Sequence, residues 1–247
     1  MQYISVFNYG VIELAKNHIK WLRKNGITNH TSYVTDKESA DELTALGYNV
    51  VYINNASATR EQSSLPKDAF DFGTVDFNNM SYIRYYVIRE LLKKGDDVWY
   101  MDIDTVVLKD LTPIYNDIKQ QGNIDVCFQN DINMPCTGCM LLMSNQRTVQ
   151  FVQQILDNKT NNTNDQIIAK HVLQHNNNGL KVALFPHYTF PNGVMYFGSD
   201  FVNVPEYLKI IKDDYHNATK ETYFVHANWM VGDATKTNAL KKYGLWL

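Results

Sequence analysis

The chain has 247 residues, 45% of them hydrophobic, with a formal net charge of −3 and no long run of either sign. That length can bury one large core, and the even charge balance argues against a nucleic-acid or anionic-membrane partner. No apolar run approaches the roughly 18 to 20 residues of a membrane span, and Met1 to Phe7 lacks the basic region of a secretory signal, so a trimmed or cytoplasmic protein is expected. Three cysteines, at 127, 136 and 139, do not make a disulfide framework. Cys136-Thr137-Gly138-Cys139 has no second pair to complete a structural zinc site and runs straight into the apolar Met140 to Met143. Asparagine runs such as Asn176-Asn177-Asn178, and triplets such as Asn217-Ala218-Thr219, read as loop composition rather than glycan acceptors.

Residues 3 to 7 read as a first strand, closed by Asn8-Tyr9-Gly10. A helix follows from about Val11 to Asn25, with Ala15, Ile19 and Leu22 at helical spacing and Gly26 as its stop. A strand from Thr31 to Val34 leads to Asp36, an N-cap for a short helix bearing Leu43 and Leu46, and Tyr48 to Ile53 is the next strand. This β-α-β-α-β order predicts an α/β fold whose central sheet is mostly parallel, twisted and flanked by helices. Residues 54 to 80 are polar and broken at Ser63-Ser64-Leu65-Pro66, which reads as a loop over the site. Ser81 to Lys94 reads as a helix with an Ile83, Val87 and Leu91 stripe; Arg84 lies one position from that stripe.

Val98-Trp99-Tyr100-Met101 is then a short buried strand ending in Asp102-Ile103-Asp104. Side chains alternate along extended chain, so both carboxylates are expected to face one way while Ile103 turns back into the core. Two carboxylates at a strand's carboxyl end repel unless a cation joins them, and oxygen ligands suit Mg²⁺ or Mn²⁺. Ligand sites of open α/β sheets lie beyond such strand ends, which favours a divalent-ion site over a solvated acidic loop.

Thr112-Pro113 reads as N-cap and first residue of a helix to about Gln121, followed by a strand at Asp125 to Gln129, a loop from Asp131 to Pro135 and a strand at Cys139 to Met143. Asn145 begins a helix with Val149, Val152 and Leu156, and Asn164-Asp165-Gln166 opens another. Leu180 to Phe185 and Thr222 to Val225 are late strands with Phe190-Pro191-Asn192-Gly193 as a turn between them, and His226 to Lys236 leads into a short final helix. No repeat or domain boundary is visible, so residues 1–247 read as one domain.

The ordered set Asn8-Tyr9-Gly10, Arg84, Tyr100 to Asp104, Thr137-Gly138, Asp165-Gln166, Phe190 to Gly193 and His226 to Lys236 resembles the nucleotide-diphospho-sugar transferases. These are metal-dependent glycosyltransferases of the Rossmann-like GT-A fold, with a D-x-D motif, allied to the retaining enzymes of the glycogenin type. The resemblance implies a UDP-sugar donor, Mn²⁺ or Mg²⁺, a glycan, protein or small-molecule acceptor, and retention at the anomeric carbon. It implies that Asp102, Asp104 and His226 hold the metal. Gly232 and Lys236 match the residues that meet the diphosphate, Arg84 an arginine near the donor sugar, and Asp165-Gln166 the pair at the reacting carbon. Asn8, Tyr9 and Asp36 fall at the strand ends where such enzymes hold uridine. Ile103, Thr137 and Gly138 belong to the same donor-binding set, and acceptor contacts are expected from late loops around 131–135 and 186–200.

Two departures accompany the match. Related enzymes often carry Asn where this chain has Cys136, and a thiol cannot make an amide's hydrogen bonds. The spacing from His226 to Gly232 is also longer than in glycogenin-like enzymes. A sugar-nucleotide pyrophosphorylase, which usually shows a Gly-rich basic loop after its first strand, and an inactive carbohydrate- or nucleotide-binding module are the alternative readings.

Overall fold

The computed structural model describes residues 1–53, 68–70, 73–132, 134–175, 178–198 and 222–247. Ser63 to Pro66, Asn176-Asn177, Asn217 and parts of the two expected acceptor loops lie outside the described residues. In chain order the elements are β1 (Gln2–Phe7), a 3₁₀ turn (Tyr9–Val11), α1 (Ile12–Lys24), β2 (His30–Val34), α2 (Lys37–Ala45), β3 (Asn49–Tyr52), α3 (Val75–Lys93), β4 (Val98–Met101) and β5 (Thr105–Val107). There follow α4 (Thr112–Gln121), β6 (Val126–Asn130), β7 (Pro135–Leu142), α5 (Gln146–Asp157), α6 (Asp165–His175), β8 (Val182–Phe185), α7 (Gly193–Phe197), β9 (Phe224–His226) and α8 (Asp233–Lys242).

Seven strands form the main sheet in the order β3-β2-β1-β4-β7-β6-β8. All neighbouring pairs are parallel except those of β7, which runs against both β4 and β6. The predicted parallel βαβ half is therefore β3-β2-β1-β4, and the reversed β7 sits next to the central strand. All four residues of β4 are buried, as expected of a strand covered on both faces. Val98 and Tyr100 pack with Tyr85, Ile88, Phe151, Ile155 and Val172 from α3, α5 and α6. Trp99 and Met101 face the other layer, with Leu22 of α1 and Ile118 of α4, and the Trp99 ring stacks between Tyr3 and Phe185 at centroid distances of 5.8 and 5.5 Å.

Some local expectations are corrected. The chain between β4 and β5 is a turn rather than extended strand, because Thr105 N donates to Asp102 O at 3.1 Å. Helix α3 begins at Val75, ahead of the expected Ser81, with the Thr74 hydroxyl accepting from Phe77 N. Thr112 lies inside α4; the Asp110 carboxylate accepts its N–H at 2.9 Å, the service an N-cap would otherwise give. Strand β7 starts at Pro135, four residues early, and Asn192 caps the short α7 instead of closing a simple turn.

A buried polar group underlies the Asp102 to Asp104 turn. Ser5 Oγ donates to Met101 O at 2.7 Å, His18 Nδ1 donates to Thr105 O at 2.6 Å, and His30 Nε2 lies 3.1 Å from Ser5 Oγ. The two carbonyls that flank the turn are thus clasped from below. Burial lowers the His18 imidazole from 6.5 to about 4 and His30 in the same direction. Below 6.5 the unfolded chain takes up protons that the folded chain refuses, so stability falls as pH drops from 6.5 towards 4. We expect His18 alone to make the protein about 2 kcal/mol less stable at about pH 5 than at about pH 7.5 in urea melts. That extra slope should be missing from His18→Gln; an identical slope in the variant would refute the assignment.

Candidate active site

The two sheets meet at the turn. In the small second sheet, β5 pairs antiparallel with β9 in a register that sets Thr105 opposite His226, and Ala227 N donates to Asp104 O at 3.0 Å. From the main sheet, Gly138 O of β7 accepts Asp102 N at 2.7 Å. Backbone pairing therefore places the imidazole beside the acidic turn. His226 Nε2 lies 3.1 Å from Asp104 Oδ1 and 3.9 Å from Asp102 Oδ2, and ligand atoms of all three side chains lie within 4.8 Å of one another.

His226 is held in one orientation by Gln129. Gln129 Oε1 lies 2.7 Å from His226 Nδ1, while Gln129 Nε2 donates to the carbonyls of Phe190 and Pro191 at 3.3 and 3.0 Å. With the amide nitrogen committed to two acceptors, its oxygen must accept from Nδ1–H, which aims Nε2 at the aspartates. A partner of this kind on the far ring nitrogen is typical of histidines that ligate metal. Gln129 stands out in the sequence only as a polar residue ending the apolar run Val126 to Phe128, and nothing there ties it to His226.

Gly138 makes the close approach possible. A Cβ built on it would fall 2.5 Å from His226 Cε1 and 2.6 Å from Asp102 Oδ2, distances no real side chain tolerates.

Two cations flank the carboxylates. Lys236 Nζ, from α8, is 2.8 Å from Asp104 Oδ2. The buried Arg84 reaches Asp102 Oδ1 at 3.2 Å and Thr137 O at 3.1 Å, and its Nε donates to Ser81 O at 2.8 Å. Tyr100 also donates to Asp102 Oδ1, at 2.5 Å. Burial opposes charge on Asp104, but Lys236 and His226 hold its carboxyl far below the usual range. Burial raises Asp102 despite Arg84, and the neighbouring Asp104 charge adds to the rise. A carboxylate that resists ionisation through burial and a neighbouring charge is one that a divalent cation relieves, and two carboxylates with an imidazole suit Mn²⁺ or Mg²⁺. The donor set and the fixed Nε2 fit such an ion.

A cavity opens beside this cluster, lined by Asn8, Phe77, Arg84, Asp102, Asp104 and Lys236 among others. It also reaches Ile103, Tyr100 and Asp233, the last two unassigned by the sequence. Asn8 thus joins the cluster at the end of β1. Asp36 is spent on local structure: its carboxylate accepts from Tyr9 N, Ser39 N and Ser39 Oγ at 2.8 to 3.0 Å, so with Tyr9 it ties the ends of β1 and β2 together. Asp165 is buried behind Arg84, 3.9 Å from its Nε, and accepts from Tyr85 OH at 2.8 Å. Gln166 Oε1 accepts from Thr137 N at 3.3 Å, which places it over the same strand segment. Gly232 has φ +85 ahead of α8, a conformation open to glycine, and lets that helix start where Lys236 points back to Asp104. Cys136 and Cys139 are both free and buried, their thiols pushed up by burial, and Cys136 Sγ lies 3.8 Å from His226 Nδ1. Cys136, where Asn is often found, therefore packs against the histidine.

The fold is shared with the galactosyltransferase LgtC, solved with donor and acceptor sugar analogues, at a TM-score of 0.59 and 15% identity, covering 98% of this chain and 96% of that one. Mouse xyloside xylosyltransferase 1 gives a TM-score of 0.57 at 10% identity, covering 92% and 97%. The architecture is thus the GT-A fold. Residues 25–240 match the nucleotide-diphospho-sugar transferases, and the chain belongs to that family. It is 27% identical over 205 residues to the UDP-galactose:fucoside alpha-3-galactosyltransferase of Dictyostelium discoideum, a match over 73% of this chain and 30% of that protein. It is 25% identical over 212 residues to UDP-D-xylose:L-fucose alpha-1,3-D-xylosyltransferase 3 of Arabidopsis thaliana, over 74% and 51%. The chain thus spans from under a third to about half the length of these curated relatives. Among the described residues, no helix is long and apolar enough to cross a membrane.

Proposed function

We propose that the chain transfers a hexosyl or pentosyl group from a UDP-sugar to an acceptor hydroxyl on a glycan, protein or small molecule, with retention at the anomeric carbon. The observation that carries this reading is the gathering of Asp102, Asp104 and His226 at the wall of a cavity that also holds Arg84 and Lys236. The family membership and the donors in the relatives' names support it. Asp102, Asp104 and His226 are the residues that would hold Mn²⁺ or Mg²⁺. When bound, such an ion supplies positive charge against the negative charge growing on a departing diphosphate.

The chain's own groups do the rest. Lys236 presents an ammonium to the same diphosphate as a point charge. Gly232, by setting the start of α8, fixes where that ammonium stands. Arg84, clamped by two backbone carbonyls, orients the donor sugar beside Asp102. Asp165 acts through Arg84 and Tyr85 as a positioning residue. Gln166, bonded to Thr137 N, steadies positive character at the reacting carbon in a front-face displacement. Asn8, with the Tyr9 and Asp36 corner behind it, receives the uridine, and Gly138 keeps the donor side of the metal centre open.

The test is UDP release from a panel of UDP-hexoses and UDP-pentoses. Release from at least one donor, lost with a chelator and restored by Mn²⁺, is expected. No release from any of them, with no thermal shift on adding UDP and Mn²⁺ together, would overturn the reading.

A further inference from the structure

Beyond the donor side, Trp229 stands in the loop between His226 and α8, a position the mechanism above does not use. The residue is 42% exposed, yet its indole is fixed rather than free. Trp229 Nε1 donates to Asp131 Oδ1 at 2.6 Å, and the same oxygen accepts from Asn192 Nδ2 at 2.9 Å and Asn228 Nδ2 at 3.3 Å. The backbone there is strained. Among the described residues three non-glycines have positive φ, and two of them flank this one hydrogen bond: Trp229 at +65° and Ile132, next to Asp131, at +55°. A bulky or β-branched residue in the left-handed region persists only where its surroundings over-determine it, and such strain gathers at ligand clamps. Met230 is buried in the core beneath, so the segment is pinned from inside while Trp229 and Val231 look outward.

The clamp is joined to the metal cluster. Asn228 Nδ2 lies 3.9 Å from Cys136 Sγ, which lies 3.8 Å from His226 Nδ1. The run of contacts from the indole through Asp131, Asn228 and Cys136 thus ends at Nδ1 of His226, whose Nε2 faces Asp104. With its N–H held from beneath by the buried Asp131, the part-exposed indole offers an apolar surface, which suits the apolar face of a pyranoside ring.

We propose that Trp229 is a stacking platform for the sugar ring of the acceptor, oriented by Asp131. This rests on the transferase reading for the word acceptor, while the pyranoside subsite itself stands on geometry alone.

The chain's four tryptophans give four indole N–H resonances in a ¹⁵N spectrum, and Trp229→Phe identifies that of Trp229 by its disappearance. Methyl glycosides of galactose, glucose, xylose and fucose are titrated into the wild-type chain, with methanol as the control. At least one glycoside is expected to move the Trp229 resonance and not the other three. For that glycoside as acceptor, Trp229→Ala should raise KM about tenfold with a smaller change in kcat, and Trp229→Phe, which keeps a ring face, should recover part of the loss. Silence of the Trp229 resonance with every glycoside overturns the proposal, whether or not Trp229→Ala folds; so does an unchanged KM in that variant. A chain that binds a glycoside at Trp229 but releases no UDP from any donor keeps the subsite and loses the transferase reading.

Discussion

Asp104→Asn should abolish the response to metal. The amide keeps the shape of the carboxylate but not its charge, and Asp104 is the carboxylate that Lys236 and His226 hold ionised. With it neutralised, only Asp102 remains as an anionic ligand, and Asp102 is the one whose carboxyl burial keeps above the usual range. Removing a preorganised charge of this kind costs on the order of 10²-fold in rate or more. UDP release in Mn²⁺ should drop by at least that factor. Manganese binding, read by electron paramagnetic resonance without any donor, should weaken in parallel. The fold should survive, because Lys236 keeps 24% of its side chain exposed and can turn its ammonium to water. Unchanged turnover in Asp104→Asn would sink the metal assignment at its centre.

Gly138→Ala should do as much damage with a single methyl group. The new Cβ would lie 2.5 Å from His226 Cε1 and 2.6 Å from Asp102 Oδ2, so both ligands must move. His226 has little freedom to do so, being buried and fixed through Gln129. Overpacking at such a site costs about 1 to 3 kcal/mol of stability, small enough for the chain to stay folded. The expected result is a near-native far-UV circular dichroism spectrum with a lowered melting temperature, loss of manganese binding and a fall in UDP release on the order of 10²-fold or more. Metal affinity within a few-fold of wild type would show that the two ligands are not where the site needs them.

Much of the architecture is written in local pattern. The apolar run Val98 to Met101, the helical stripe Ile83, Val87, Leu91 and the β-α order of the first fifty residues lead directly to the parallel half of the sheet. The reversed β7 is not legible in this way, since strand direction depends on which edge is vacant when the strand arrives, and Pro135 to Leu142 reads the same in either direction. The early start of α3 was hidden by polar residues such as Asp76, Asn78 and Asn79, which suit a loop equally well; a threonine cap and an ordinary first turn decide it.

The acidic pair is legible as two carboxylates one residue apart at the end of a buried strand, although a turn rather than extended chain brings them together. The roles of Gln129 and of the Asp131–Trp229 pair are not, because each depends on a partner about 97 or 98 positions away that no local spacing announces. At Asp36 the spacing shows a carboxylate at a strand end but not that it accepts backbone N–H groups at Tyr9 and Ser39 and so shapes the corner behind Asn8.

The pairing of β5 with β9 joins residues roughly 120 positions apart, and the histidine arrives on the later of the two strands. Closing a span of that length carries an entropic cost, and a chain whose short strand has not docked leaves the aspartates without the imidazole. If the acidic turn takes up manganese as proposed, affinity for the ion becomes a readout of complete assembly: a population that had collapsed without annealing its second ribbon would keep its helices and core yet be blind to it.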